Sequence, residues 1–401
     1  MKTAQPIAPS STSNPPAGAT PPMRILQVFP TYKPAYVYGG PIFSVSYLCE
    51  QMVRQGHEVE LLTTTANGPD ELDVETGVPL DVDGVRVYYF RRWTKDHTHF
   101  SPALLWHLWK NCRRYDVVHI QSWWNTVVIL SVVVCWLRGV RPVLSPRGML
   151  SGFSFSKSHA SLKHLFHRHV GRRLLRRTVC HVTSPLELEE CKAEGLEAFL
   201  LPNLLPLPAE PPPRPPSDGV LRLAFLSRIH PKKNLEGTLQ ALSLLDFPFE
   251  LHIAGSGEEA YLEELKTRSR ALGLEERVNW VGHLHGTEKF EFLARADVFL
   301  LLSHNENFAN VVIEALSVGT PVLVSEGVGL SAFVREEGLG WVTDLAPESI
   351  AAALSTAFEA PSKREEIRRR GPALIQERFS AEKLVPAYIQ AYREHLRHES
   401  A

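Results

Sequence analysis

The chain has 401 residues, too long for one ordinary core, so two domains are the expectation. With 44% hydrophobic and 22% charged residues it has the make-up of a soluble globular protein, and a formal net charge of −1 excludes a global pull toward nucleic acid or acidic polymers. No stretch reaches the length of a membrane span; the best, TVVILSVVVCWL at 126–137, reads as a core helix.

Residues 1–22 are rich in Pro, Ser, Thr and Ala and lack an apolar signal core, so a disordered tail is expected there rather than a secretion signal. MRILQVFP (23–30) reads as a strand entering a loop with Gly39 and Gly40, then a helix over 41–55. HEVELLTT and GVRVYYF follow as strands, then a helix around 101–113, the strand YDVVHIQS, a helix over 125–137 and the strand RPVLSP. A basic helix over 162–177, the strand VCHVTS, a short helix and AFLLPN complete a first domain, 23–205. Such alternation predicts a mostly parallel sheet covered by helices on both faces. The Pro-rich segment 206–219 suits neither sheet nor helix interior and marks a semi-rigid linker.

The pattern restarts over 220–378. Strands are expected at VLRLAFLSR, FELHIAGSG, RVNWVG, 298–302, TPVLVS and LGWVT, with helices over 234–245, 258–272, 287–295, 310–318, 347–358 and 361–377. An amphipathic helix lies within 379–401. Two doubly wound sheets bind ligands at the carboxyl ends of their strands, here expected to face a central cleft. The five cysteines (Cys49, Cys112, Cys135, Cys180, Cys191) are widely spaced and odd in number. They argue against a disulfide framework and for a reducing, cytoplasmic setting.

Strand-end loops carry the chemistry-bearing residues. In SRIHPKKN, Arg228, Lys232 and Lys233 can converge with helix N–H groups on a phosphate or pyrophosphate; the plain alternative is a solvated basic loop. Gly255 and Gly257 make a Gly-x-Gly turn, weak as a dinucleotide signature. Glu306 lies past a strand end, Asn310 opens the next helix, and Glu314 sits one turn into it on an apolar flank. A buried carboxylate needs a partner. A ribose diol suits Glu314, with a nearby Lys or backbone N–H as the alternative. Gly39 and Gly40 let a ligand approach backbone N–H groups. His119, ending DVVHI, is either a proton handler or a satisfied core histidine. Arg147, in SPRGML, is an anion clamp candidate. The basic segment 162–177 is a candidate contact for an anionic membrane surface or a phosphate-bearing acceptor, against a merely solvated face.

With these motifs the chain resembles the family-4 retaining glycosyltransferases, of GT-B architecture, found in bacterial polysaccharide biosynthesis. The likeness covers nearly all of 23–401 and rests on Glu306 and Glu314 with seven residues between them, and on Arg228 with Lys233. It implies that Arg228 and Lys233 bind the donor diphosphate, that Glu314 holds the ribose and that Glu306 lies beside the transferred sugar. Backbone at Asn307, Phe308 and Ala309 would approach donor hydroxyls and phosphate, Gly39 and Gly40 match the glycine loop near the donor phosphate, and the last helix crosses back to the first domain. The chain departs from the family pattern at Asn307 and Ala309, where many members have glycine, at Ser227 and Leu204, also glycine positions, and at Arg147, a histidine position.

The resemblance implies retaining transfer from a nucleotide-diphospho-sugar to a saccharide or lipid-linked acceptor. Metal independence is expected, since Arg228 and Lys233 supply the charge and the DVD at 81–83 leads into a strand. An epimerase of the same fold or a non-catalytic nucleotide-sugar binder are the alternatives. A dehydrogenase is disfavoured because the glycines after the first strand come too late.

Overall fold

Seven of the eight strands in the first sheet run parallel, as the repeated strand–helix pattern requires. The computed structural model describes residues 21–96, 98–151, 160–216, 218–284 and 286–396. The expected tail (1–22) and the end of the last helix therefore fall largely outside the described residues. The chain divides into two units: one runs to Leu205 and resumes at Ala381, the other spans Pro206–Ser380.

In the first unit the parallel strands are β1 (Arg24–Val28), β2 (Glu58–Thr64), β6 (Val85–Phe90), β7 (Val117–Gln121), β8 (Val143–Ser145), β9 (Val179–Val182) and β10 (Ala198–Leu200). β5 (Pro79–Val82) joins the edge antiparallel, and the order is β10-β9-β8-β7-β1-β2-β6-β5. β1 lies between β2 and β7, with Arg24 opposite Glu58 and Ile25 opposite Val117, so the strand order reverses there. Helices α1 (Gly40–Arg54), α2 (Pro102–Asn111), α3 (Thr126–Leu137) and α6 (Pro185–Ala193) fall close to the expected ranges. The basic segment is helical over Ala160–Phe166 (α4) and Arg172–Leu175 (α5), joined by a π-helical turn at His167–Gly171. β5 and the small hairpin β3 (Ala66–Asn67)–β4 (Asp70–Glu71) are unanticipated, being too short to show periodicity. Asp81 of the DVD lies within β5, and Asp83 in the following turn pairs with Lys33 at 2.7 Å.

The second unit is a six-stranded parallel sheet, β13-β12-β11-β14-β15-β16: β11 (Leu221–Leu226), β12 (Phe249–Ala254), β13 (Val278–Gly282), β14 (Val298–Leu301), β15 (Val322–Ser325) and β16 (Gly340–Thr343). Its helices are α7 (Leu235–Leu242), α8 (Glu259–Ala271), α9 (Glu288–Ala294), α10 (Asn310–Ser317), α11 (Ser331–Glu336), α12 (Pro347–Glu359) and α13 (Pro361–Phe379). Every residue of β14 and β15 is buried, as parallel strands covered on both faces require. The described residues of the Pro-rich segment form no helix or strand, but the segment is anchored: Arg214 donates to Asp297 Oδ1 at 2.5 Å and to the Ala296 carbonyl at 2.9 Å. Arg368 of α13 reaches the same Oδ1 at 2.9 Å, and Oδ2 accepts from the Arg222 N–H.

The last helix, α14 (Ala381–Leu396), belongs to the first unit. Gln55 donates to the Ala381 carbonyl at 2.9 Å, and Tyr388 and Tyr392 are fully buried. Both units have the Rossmann-like strand order, and the return of the C-terminal helix to the first unit completes the GT-B fold.

Candidate active site

The second unit gathers the loops after β11, β12, β14 and β15. The loop after β11 lies against the one after β12, with Ile229 N–H donating to the Ser256 carbonyl at 2.8 Å. A Cβ on Gly255 would stand 1.9 Å from the Ser227 carbonyl oxygen, so only glycine permits this approach. Gly255 thus has a packing role between loops, in keeping with the weak Gly-x-Gly signal.

His230 Nδ1 accepts from the Lys232 N–H at 3.0 Å, bending the loop into one turn over Pro231–Lys233. The Lys232 carbonyl accepts from the His304 N–H at 2.9 Å, tying this loop to the end of β14. Lys233 Nζ meets Glu306 Oε1 at 2.7 Å, both largely sequestered at 13% and 18% side-chain exposure. Two residues 73 positions apart, each singled out by its strand-end context, therefore meet. Arg228 is exposed and has no ion-pair partner among the described residues.

Glu306 is itself clamped: its N–H donates to the Gly327 carbonyl and its carbonyl accepts from the Gly329 N–H, both at 2.8 Å. The sequence signal for this close backbone approach is EGVGL, two glycines just past a strand end. Phe308 is buried and meets Phe379 edge-on. Ala309 precedes α10 with φ 68° and ψ 70°, the left-handed region that glycine adopts without strain, at a position where the resemblance leads one to expect glycine. The replacement keeps the backbone shape at a strain cost. Ala309→Gly is expected to raise unfolding stability by up to about 1 kcal/mol, read from urea unfolding, without changing nucleotide affinity.

Asn310 opens α10, and Glu314 follows one turn later, 8% exposed. Its Oε1 accepts from Lys289 Nζ of α9 at 2.7 Å. Lys289 had no signal in the sequence, because the pair is made only by the packing of two helices. A lysine partner is the alternative to ribose for Glu314, and Lys289 supplies that partner here.

In the first unit, Gly39 has φ 73° and ψ −141°, and a Cβ there would meet nothing within 4 Å, so open space lies before α1. Gly40 begins that helix and is exposed. Arg147, at φ 55°, donates through Nε to Gln121 Oε1 at 3.0 Å and through Nη1 to Asn203 Oδ1 and Ser44 Oγ at 3.3 and 3.4 Å. Its neighbour Glu187 is engaged by the Gly148 and Thr183 N–H groups. Burial lowers the arginine's pKa, and the hydrogen-bond partners that fix the guanidinium are neutral oxygens. A cation held in this way suits an incoming anion.

His119 departs from the proton-handling expectation. It is fully buried; Nε2 meets Ser145 Oγ at 2.7 Å and Nδ1 meets the Tyr392 hydroxyl at 2.8 Å. Ser145 Oγ in turn meets His181 Nδ1 at 2.7 Å, and the Tyr388 hydroxyl lies 3.0 Å from His181 Nε2. The chain of contacts fastens α14 to the sheet, which fits the core-histidine alternative. Burial drives His119 well below the usual imidazole range and His181 down to about 3. A lowered folded-state pKa means that the unfolded chain takes up the proton first. The stability from His181 is therefore full above about pH 6.5 and is lost as pH falls toward 3, costing about 2 kcal/mol by pH 5. Urea midpoints at pH 7 and 5 should drop more in the parent than in His181→Gln; an equal drop in both would count against the buried neutral pair.

All five cysteines are buried and unpaired. Among the described residues no group of three or more His, Cys, Asp or Glu is placed to hold a metal ion, and no helix is long and apolar enough to cross a membrane.

Cations after β11, a clamped carboxylate beyond β14 and a second carboxylate inside α10 thus stand at the carboxyl-terminal side of one parallel sheet, where ligands of doubly wound folds bind. Residues 39–203 match the family model for the glycosyl transferase 4-like domain, and 210–373 match that for glycosyl transferases group 1. An uncharacterised glycosyltransferase of Methanocaldococcus jannaschii is 26% identical over 92% of this chain and 98% of its own length. Glycogen synthase of Mycobacterium tuberculosis is 26% identical over 92% of this chain and 94% of its own. Among solved structures, HepE of Anabaena, in complex with UDP and glucose, superposes with TM-score 0.70 and 18% identity over 93% of this chain and all of that one. The chain belongs to the GT-B glycosyltransferases, with both halves of the architecture matched.

Proposed function

We propose that the chain is a metal-independent, retaining hexosyltransferase that moves a sugar from a nucleotide-diphospho-sugar to an acceptor hydroxyl in cell-surface polysaccharide or glycolipid synthesis. The observation that carries this reading is the Lys233–Glu306 pair at 2.7 Å, made from the loop that also carries the exposed Arg228. An ammonium has three donors, so Lys233 can keep Glu306 and still take a phosphate oxygen. Lys233 and Arg228 then offset the charge that grows on the departing diphosphate, the role a divalent cation plays elsewhere. Glu306 lies beside the sugar, where its carboxylate supports the oxocarbenium-like transition state. Glu314, aimed by Lys289, takes the ribose hydroxyls, and the α10 N-terminus at Asn310 with backbone at 307–309 takes donor oxygens. Arg147, with Gly39 and Gly40, is the anion-holding part of the first unit. His119 positions α14 and takes no proton from substrate.

The left-handed Ala309 favours an active enzyme over a non-catalytic binder, since the altered loop retains the backbone course that a glycine would give. HepE, solved with UDP and glucose, makes UDP-glucose the first donor to try. The setting proposed is the cytoplasm or the inner face of a membrane, with the basic segment 162–177 toward anionic groups.

The test is a binding screen of nucleoside-diphospho-sugars, with release of nucleoside diphosphate followed when saccharide or lipid-linked acceptors are added. Glu314→Ala should weaken the best donor by about 10- to 100-fold, the worth of a charged hydrogen-bond pair. Unchanged donor affinity in that variant would remove the ribose role. Sugar-nucleotide interconversion without acceptor would favour an epimerase.

A further inference from the structure

We infer that the α2–α3 face of the first unit docks on the surface of an anionic lipid bilayer. A surface helix ordinarily carries a polar outer side. α3 does not: its only polar residues are Thr126 and Ser131, and Ser131 is fully buried. The helix instead shows solvent Trp136 at 43% and Leu137 at 58% exposure, and α2, packed beside it, shows Trp106 at 58%.

Three tryptophans on this face each carry a cation. Lys110 Nζ lies 4.7 Å from the Trp106 ring, Arg138 5.0 Å from Trp109, and Arg177 4.9 Å from Trp136. These contacts join α2, the end of α3 and the end of the basic segment. Arg113 adds to them by donating to the Arg138 carbonyl at 2.6 Å. In sequence, residues 97–186 contain thirteen Lys and Arg and a single acid, Asp116, although the whole chain has a net charge of −1; of these cations Arg141 and Arg172 are paired with Glu197 and Glu194 from beyond that stretch. That one acid already accepts from the Arg24 backbone N–H at 2.7 Å.

Indole rings with cations at the same level match the two layers of a bilayer interface. The ring sits at headgroup depth, and the cation meets the phosphates above it. Each Lys or Arg near an anionic leaflet adds attraction that falls with salt. The α2–α3 face adds three exposed apolar side chains, two of them aromatic, to Leu165 and Val170, which the basic segment itself exposes at 56% and 43%. The inference stands apart from the transfer reading, because its test reads partitioning and depth, not turnover.

The full chain is to be floated with vesicles of phosphatidylcholine alone and with about a third phosphatidylglycerol, at low and high salt, with tryptophan quenching by brominated lipid as the depth readout. Partitioning onto the anionic vesicles should exceed the neutral ones by roughly tenfold or more, with quenching. The doubly substituted Trp106→Ala, Trp136→Ala chain should lose roughly tenfold in partitioning and most of the quenching. Lys110→Gln with Arg177→Gln should weaken binding and flatten its salt dependence. These side chains are exposed, and an unchanged thermal transition confirms folding. Absence of binding to anionic vesicles, parent-like partitioning and quenching in the tryptophan variant, or a dimer in solution that this variant dissolves would each overturn the proposal.

Discussion

Lys233→Ala should lower kcat by at least about 10²-fold while donor affinity changes far less. The ammonium's value is greatest when the bond to the anomeric carbon is breaking and negative charge is moving onto the diphosphate. In the ground state that charge is already spread over the phosphates, so binding feels the loss less. A second effect adds to the first. Without Lys233, the carboxylate of Glu306, only 18% exposed, loses the partner at 2.7 Å and faces the diphosphate as an uncompensated anion. Lys233→Arg keeps the charge in a bulkier fork and should recover part of the rate. Single-turnover measurements at saturating donor isolate the chemical step. A near-parental rate in Lys233→Ala would leave the phosphate loop with no role in chemistry.

The second large effect is on stability. Asp297→Ala should destabilise the second unit by about 3–5 kcal/mol, the usual cost of removing one partner from a buried ionic cluster. Asp297 has 6% side-chain exposure and serves Arg214 from the Pro-rich segment and Arg368 from α13 through one oxygen. Its other oxygen holds the Arg222 N–H at the head of β11. Truncation leaves the Arg214 guanidinium without an anion, Arg368 with only the exposed Glu365 at 3.2 Å, and one backbone donor without an acceptor. Asp297→Asn retains the shape and one acceptor and should cost less. Urea unfolding of the two variants tests this; a loss below about 1 kcal/mol for the alanine would show that solvent replaces the carboxylate.

The elements long enough to show a period were legible. α10 and α12 end within one residue of expectation because their apolar faces repeat at 3.6. The unanticipated β3, β4 and β5 are two to four residues long, and no period can show itself in so few positions. The site was legible where strand-end context and residue type coincide, as at Lys233 and Glu306. It was illegible where a partner comes from another helix, as with Lys289 and Glu314. His119 marks the limit most clearly. A histidine at a strand end reads the same whether it faces solvent or a neighbouring helix, and here Tyr392, some 273 residues away, supplies the cover.

The placement of α14 bears on biogenesis. Its hydroxyls from Tyr388 and Tyr392 complete the contacts of His119 and His181, so the first unit stays unfinished until residues 381–396 have been synthesised. Residues 206–380, by contrast, are contiguous and can mature as soon as they leave the ribosome. Assembly order would then run opposite to synthesis order, and a released chain truncated at Ser380 would hold a finished second unit behind a first one that still attracts chaperones.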